Sequence, residues 1–350
     1  MNELARNLRP DRRLLPVAPP KTFEGLFSPD QESRILRCIR KAGPYLQISA
    51  QYIDTAVESR AINGAEMGGR SEGWLAPTFH GALALDGVCF HREIEDIFFD
   101  PRLLDLARDY WSVECAKPTR LFVNINGPTI NKDPGHLDIP AFRGVDRHNM
   151  PMWALSLMGK SGLFQPWFVK MAQVITWWWQ GTEDGGFTYW PDGHDAPPAR
   201  MVPPVWNRSV LVQNEMMWHR AESNGPVERR QPAGVTSKSV IAPDPDDAEG
   251  WLVKTGDQVL DRVAGDELRI MLHWNAEIYY DRADLKRHMD HTDDLTPDRA
   301  FEMFCADLRA RGRRFEVPSD PAHDPAFIRI LADAYDLGAP SIYPEKAPPV

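Results

Sequence analysis

In the middle of the chain, apolar and polar positions alternate with a period of two. The segments "TRLFVNIN" (119–126), "QVITWWW" (173–179), "GFTYW" (186–190), "SVLVQN" (209–214), "MMWHRAE" (216–222) and "LRIMLHWNAEIYY" (268–280) each read as a strand. Turn signals lie between them: "EDGG" at 183–186, "PDG" at 191–193 and "SNGP" at 223–226. Short strands at this spacing, with no helical crossover, argue for an antiparallel sandwich or barrel, and "PDPDDAEG" (243–250) reads as a surface loop. On both sides the period lengthens to that of a helix. "SPDQ" (28–31) supplies Ser28 as N-cap, Pro29 in the first turn and Gln31 to close a capping box, with Ile35, Leu36 and Ile39 as the apolar stripe and Gly43 as the stop. Weaker helical signals cover 45–60 and stronger ones 92–110, so the first third is expected to be mainly helical. "TPDRAFEMFCADLRARG" (296–312) and "DPAFIRILADAYDLG" (324–338) repeat the cap, proline and terminal-glycine design. The expected organisation is one integrated domain: an arm at 1–27, a helical flank at 28–115, a mainly β core at 116–282 and a C-terminal helical flank at 283–350.

Composition narrows the function. Forty basic against fifty acidic residues give a net charge of −10, which argues against a nucleic-acid surface. Local arginines still suffice for a small anionic ligand. Cys38, Cys89, Cys115 and Cys305 lie far apart with no C-x-x-C pair, as expected of free thiols in a reducing cytoplasm. The N-terminus carries Arg and Pro where a signal peptide needs an apolar block, and no apolar run is long enough for a membrane span. A small-molecule partner is therefore expected, with no nucleic acid and no membrane. A homodimer is left open.

The candidate chemistry starts from "PGHLDIPAFRG" (134–144). The triplet H-x-D occurs at His136–Asp138, His288–Asp290 and His291–Asp293, and about one such triplet is expected by chance in a chain of this size. Residues i and i+2 of an extended segment face one way, so H-x-D at a strand end can aim an imidazole and a carboxylate at one point. A facial metal triad needs a second His from elsewhere. His219 fits, since Met217, His219 and Ala221 share one face of the strand at "MMWHRAE". The other pair sits in "KRHMDHTDDLTPD", before a helix N-cap, where its acids favour the start of that helix. A hydrolase site using His288, Asp290, His291 and Asp293 is the rival metal reading.

Taken in order, these parts resemble the iron(II)- and 2-oxoglutarate-dependent oxygenases, especially the phytanoyl-CoA dioxygenase-like branch. The resemblance covers about 100–280 and rests on "LFVNINGP", "GHLD", "AFRGVDRHNMPMW", "VITWWWQGTEDGGFTYWPDGH" and "LVQNEMMWHRAESNGP". It implies a double-stranded β-helix, a jelly roll, with His136, Asp138 and His219 as Fe(II) ligands. It also implies 2-oxoglutarate and O2 as co-substrates, and an arginine for the far carboxylate of 2-oxoglutarate. Arg269, on a strand whose Arg269, Met271, His273 and Asn275 alternate with Leu268, Ile270, Leu272 and Trp274, is one choice; Arg229 and Arg230 are the other. Asp138 stands where related halogenases have a small residue, so hydroxylation with release of succinate and CO2 is the implied reaction. Trp153, Trp177 and Trp179 either line a pocket for an apolar or aromatic substrate or pack the core. Arg143, in the presumed lid, either binds a substrate anion or forms a salt bridge. A cupin-like binding barrel remains a third reading, weakened because no H-x-H occurs in the chain.

Overall fold

Ser28 starts the first helix as its sequence predicts: its hydroxyl accepts from the Gln31 N–H and the Gln31 side chain accepts from the Ser28 N–H. The computed structural model describes residues 14–48, 56–63, 77–131, 133–182, 184–230 and 232–344. In chain order the elements are β1 (Lys21–Glu24), α1 (Pro29–Ala42), β2 (Tyr45–Gln47), α2 (Ala56–Asn63), β3 (Thr78–Leu85), β4 (Val88–Cys89), α3 (Glu95–Phe98), α4 (Pro101–Trp111) and β5 (Cys115–Asn126). Next come α5 (Met152–Ser161), β6 (Lys170–Trp178), β7 (Phe187–Trp190), β8 (Ala199–Met201), β9 (Arg208–Val212) and β10 (Trp218–Ala221). The chain continues with β11 (Val240–Pro243), β12 (Trp251–Thr255), β13 (Gln258–Val263), β14 (Arg269–Tyr279), α6 (Arg282–Met289), α7 (Pro297–Ala310) and α8 (Pro325–Tyr335).

The strands form two antiparallel sheets. The larger runs β1-β9-β6-β14-β5-β3-β2-β11-β12-β13, with β4 beside β3; the smaller runs β10-β7-β8. His136 extends the smaller sheet through reciprocal backbone bonds with His219, both 3.0 Å. The two sheets line one cavity without closing on each other, and the core is mainly β with helices around it, as expected.

The first third of the chain departs from expectation. It carries β1 to β4 as well as helices, and β3 pairs with both β5 and β2. "TFHGALAL" has weak alternation, its Gly81 and Ala residues offering little contrast, so pairing with neighbours that are distant in sequence decides its state. The helix expected at 45–60 begins instead as β2. Residues 49–55 lie outside the described ones, as do residues 1–13 of the N-terminal arm. The 243–250 loop links β11 to β12 as read. α7 and α8 start at Thr296 and Asp324, whose side chains accept from the Arg299 and Phe327 N–H groups.

Packing explains which face of the large sheet is left for chemistry. Leu272 and Trp274 of β14, with Val123 and Ile125 of β5, pack outward on α1, α3 and α4, and the Trp274 indole donates to the Phe98 carbonyl at 2.9 Å. A second core joins α5 to α7 and α8 through Trp153, Phe164, Phe304 and Leu331. Each such fully buried side chain contributes roughly 1.5–3 kcal/mol. The opposite face of β14 carries Arg269, Met271, His273 and Asn275, all of which line the cavity. No helix among the described residues is long and apolar enough to cross a membrane.

Candidate metal centre

Gly135 delivers the chain to the site. Its φ is +116°, which L side chains rarely adopt, and a Cβ there would press on Pro340 at 3.0 Å and on the Trp190 ring at 3.3 Å, so glycine suits the turn. From that turn the backbone runs extended beside β10, and the i, i+2 rule points His136 and Asp138 to one side. Asp138 is fixed again by its N–H, which donates to the Asn214 carbonyl at 3.0 Å.

The expected triad converges. One nitrogen each of His136 and His219 and one oxygen of Asp138 lie within 4.8 Å of one another. Both Nε2 atoms face the same carboxylate oxygen, Asp138 Oδ1, at 3.9 Å from His136 and 3.5 Å from His219. The other ring nitrogens are committed elsewhere: His136 Nδ1 to the Asp133 carboxylate at 2.5 Å, and His219 Nδ1 to the Met217 carbonyl at 3.0 Å. Such partners fix the tautomer and orientation of metal-ligating imidazoles. Gln173 of β6 donates to Asp138 Oδ2 at 2.6 Å and accepts from the Asn214 N–H at 2.5 Å, which locks the carboxylate with Oδ1 inward. The donor set, two imidazoles and one carboxylate on one side of a cavity, fits a divalent cation such as Fe(II) with positions left for other ligands.

Electrostatics agree with the geometry. Burial alone would raise Asp138, but the hydrogen bond and charge of His219 hold it below the usual carboxylate range. Burial would lower His136, yet the Asp133 carboxylate outweighs it and raises the imidazole to about 9. Gln173→Ala is expected to weaken metal affinity by about 10–100-fold, the usual cost of losing a group that holds a ligand carboxylate in place. Calorimetric titration of the metal-free protein measures it.

The cavity has a volume of about 460 Å³. Its wall mixes apolar groups (Phe122, Ile139, Met152, Leu155) with polar ones that lack partners. Arg120 Nε, Glu215 Oε2, His273 Nε2 and both amide atoms of Asn214 are buried with no hydrogen bond. Buried polar atoms without partners are costly, so a cluster of them in one wall marks a polar ligand. Burial lowers His273 to about 4, leaving it neutral at physiological pH. Burial, then the charge of Asp138, raises Glu215 from 4.5 to about 8. Because the folded value is the higher one, Glu215 contributes stability below the ordinary carboxylate range and loses it as pH rises through about 8. Metal-free Glu215→Gln should therefore melt close to the wild type at pH near 5 and gain on it progressively toward pH near 9, as followed by circular dichroism.

The structure separates the three arginine choices. Arg269 is 1% exposed and lines the cavity. Its guanidinium donates to the Gly185 and Gly186 carbonyls at 2.6 and 3.2 Å and lies 5.7 Å from the Trp177 ring centroid. Among the described residues no carboxylate lies within ion-pair distance of it. Burial pulls it to about 10, still cationic at neutral pH. Arg229 instead pairs with Asp261 and Glu267, and Arg230 with Asp184 and the Gly225 carbonyl. Neither lines the cavity.

The substrate candidates divide in the same way. Trp177 lines the cavity beside Phe187, with ring centroids 4.9 Å apart. Trp179 shares its face but packs under Gly181 and Gly185 and donates to the Asp184 carbonyl at 2.8 Å. Trp153 lies in the helical core against Phe301. Arg143 is bonded to Asp293 at 2.7 and 2.9 Å and to the Pro166 carbonyl, away from the cavity wall. The rival metal cluster disperses. Asp293 is taken by Arg143, Asp290 by Lys286 and His291 by Asp294, while His288 meets the Tyr279 ring edge-on. Asp133, Gln173, Arg120 and Glu215 were not singled out from sequence. Only Asp133 carried a local signal, a carboxylate one turn before His136.

No family model matches the chain, and no curated protein matches it. Distant likenesses to solved structures exist. One is an oxidoreductase of the 2OG-Fe(II) oxygenase family from Burkholderia pseudomallei, at 11% identity over 75% of this chain and 85% of that one, with TM-score 0.38. Others are the epimerase SnoN of nogalamycin biosynthesis (11%, 78% and 81%, TM-score 0.35) and the viral collagen prolyl hydroxylase of Paramecium bursaria Chlorella virus-1 (10%, 74% and 96%, TM-score 0.36). Overlaps of this extent carry no weight for the activity, which is argued from the site's own residues.

Proposed function

We propose that the chain is an Fe(II)- and 2-oxoglutarate-dependent oxygenase, a hydroxylase on a double-stranded β-helix of the phytanoyl-CoA dioxygenase-like kind. The observation that carries this reading is a single cavity holding both a His–Asp–His donor set and a buried arginine with no carboxylate partner among the described residues. His136, Asp138 and His219 would hold the iron, and Arg269 would pair with the far carboxylate of 2-oxoglutarate. Iron bound there would supply the redox chemistry that couples decarboxylation of 2-oxoglutarate by O2, giving succinate and CO2, to oxidation of the substrate. The chain's own residues do the positioning. Asp133 and the Met217 carbonyl hold the imidazoles with Nε2 inward, Gln173 orients Asp138, and Trp177 and Phe187 keep water from the arginine end.

The substrate expected from sequence was apolar or aromatic. The wall supports a narrower class, a small acid with an apolar body. Arg120 faces Asn275 and Arg269 faces Asn126 in one strand pair, which at about 3.3 Å per residue places their Cα atoms roughly 20 Å apart along the floor. The two arginines thus enter the cavity from opposite ends of the strand pair. Arg120 makes no ion pair among the described residues and is proposed to take the acidic group, with Phe122, Ile139, Met152 and Leu155 around the body. Arg120→Ala should raise KM for an acidic substrate by roughly 10–150-fold, the loss of a charge-assisted hydrogen bond, while KM for 2-oxoglutarate stays put. Succinate release across small acids and their methyl esters reads this out.

The reading itself is tested by adding Fe(II) and 2-oxoglutarate to oxygen-free protein. A weak visible charge-transfer band that needs both additions supports it. Its absence with the fold intact overturns it.

A further inference from the structure

A second group of metal-type donors lies on the opposite face of the large sheet, apart from the cavity. α1 buries Ile35, Cys38 and Ile39 in the core that also holds Leu83 and Ile94, packs on the turn at 92–94, and leaves Cys38 completely buried. β4 pairs with β3 through Ala84–Cys89 and Leu85–Val88, and the Phe90 N–H donates to the Leu83 carbonyl at 2.9 Å. This hairpin aims the following segment at α1. His91 then opens a short helical turn, closed by the Ile94 N–H donating to the His91 carbonyl at 3.1 Å, and Glu93 lies within that turn. As a result the Cys38 thiol, one His91 ring nitrogen and one Glu93 carboxylate oxygen lie within 4.8 Å of one another.

We propose that Cys38, His91 and Glu93 bind a zinc-class divalent cation that ties α1 to the β3–β4 hairpin. A thiolate, an imidazole and a carboxylate are the protein donors that zinc takes, and three of them leave one tetrahedral position for water. A hard cation such as Mg(II) is disfavoured by the sulfur. Neither the Cys38 thiol nor the His91 ring takes part in a hydrogen bond among the described residues, so both are free to ligate. The Glu93 carboxylate has two competitors, its own backbone N–H and Lys41, whose ammonium lies 3.3 Å away on a side chain that is 72% exposed. An exposed pair of this kind is weak and readily displaced. Binding forms one metal–sulfur, one metal–nitrogen and one metal–oxygen bond, and the thiol proton leaves to solvent. The site spans two elements that meet only in the folded state, so occupancy stabilises the fold. None of its residues lines the cavity, and the proposal stands whether or not the oxygenase reading does.

Cobalt(II) is the probe, added to the metal-stripped full-length chain. Thiolate-to-cobalt charge transfer reports this site alone, because the His136–Asp138–His219 set has no sulfur. The band should appear, persist in Asp138→Ala, Cys89→Ser and Cys115→Ser, and vanish in Cys38→Ser and His91→Ala. His91 is partly exposed, so an unchanged metal-free melt of His91→Ala would separate ligand loss from misfolding. Lys41→Ala should tighten binding, an effect that a merely structural cluster would not produce. No thiolate band in the wild type, a band surviving Cys38→Ser or His91→Ala, or one lost in Cys89→Ser or Cys115→Ser would overturn the assignment. Weaker binding in Lys41→Ala would do the same.

Discussion

Asp138→Ala is expected to abolish retention of Fe(II) and, with it, all succinate formation. Oδ1 of this residue is the atom that both Nε2 nitrogens face, and Oδ2 is already committed to Gln173. Its removal leaves two neutral imidazoles with no charge to balance a dication. Loss of a group that holds a ligand in place typically costs about 10–100-fold in metal affinity, so loss of the only anionic ligand should exceed ~100-fold. The measurements are iron content after gel filtration and the 2-oxoglutarate-dependent visible band. Asp290→Ala is the matched control, since Asp290 lies on the surface paired with Lys286. If Asp138→Ala kept its iron and Asp290→Ala lost it, the metal centre would belong to the "HMDHTDD" segment instead.

What the sequence made legible follows from how local each cause is. The caps at Ser28, Thr296 and Asp324 act within one turn, and all three form as read. Alternation in "LRIMLHWNAEIYY" is likewise local; it sorted Arg269, His273 and Asn275 to one face and Leu272 and Trp274 to the other. His136 and Asp138 share a side for the same reason. His219 comes beside them only through the pairing of two segments distant in the chain, which the reciprocal backbone bonds of 136 with 219 provide. Legibility failed where partners are far apart. Arg143 finds Asp293, 150 positions away, and nothing in the lid sequence announces it. β3 is poor in contrast and becomes a strand because β5 and β2 flank it. The polar floor was hidden too: Arg120 reads as an ordinary strand residue until β14 brings Asn275 beside it. Cys38 and His91, each unremarkable in its own stretch, meet only through the packing of α1 on the β3–β4 hairpin.

Arg269→Ala is expected to cost 2-oxoglutarate affinity most among the three arginines. Truncating one side of a buried charge pair typically costs about 2–5 kcal/mol, which is roughly 30-fold to a few thousandfold in Kd. Two other effects accompany it. The Gly185 carbonyl loses the Arg269 donor and the Gly186 carbonyl keeps only the Glu222 N–H, so the melting temperature falls, and the Trp177 ring loses its cation. Affinity must therefore be measured at a temperature where the variant is folded, by titrating 2-oxoglutarate into the oxygen-free protein loaded with Fe(II). Arg269→Lys retains charge but not the planar fork, and should fall between the wild type and the alanine variant. Arg229→Ala and Arg230→Ala remove ion pairs outside the cavity and should leave Kd close to that of the wild type. The spacing from His219 would have favoured Arg230 and the strand alternation Arg269. Pairing rather than burial distinguishes them: Arg230 is already matched by Asp184, whereas among the described residues Arg269 is held by carbonyls alone, and an unmatched cation gains more from a carboxylate. A large loss in Arg230→Ala with none in Arg269→Ala would reverse that order and move the co-substrate to the other side of the Gly185 turn.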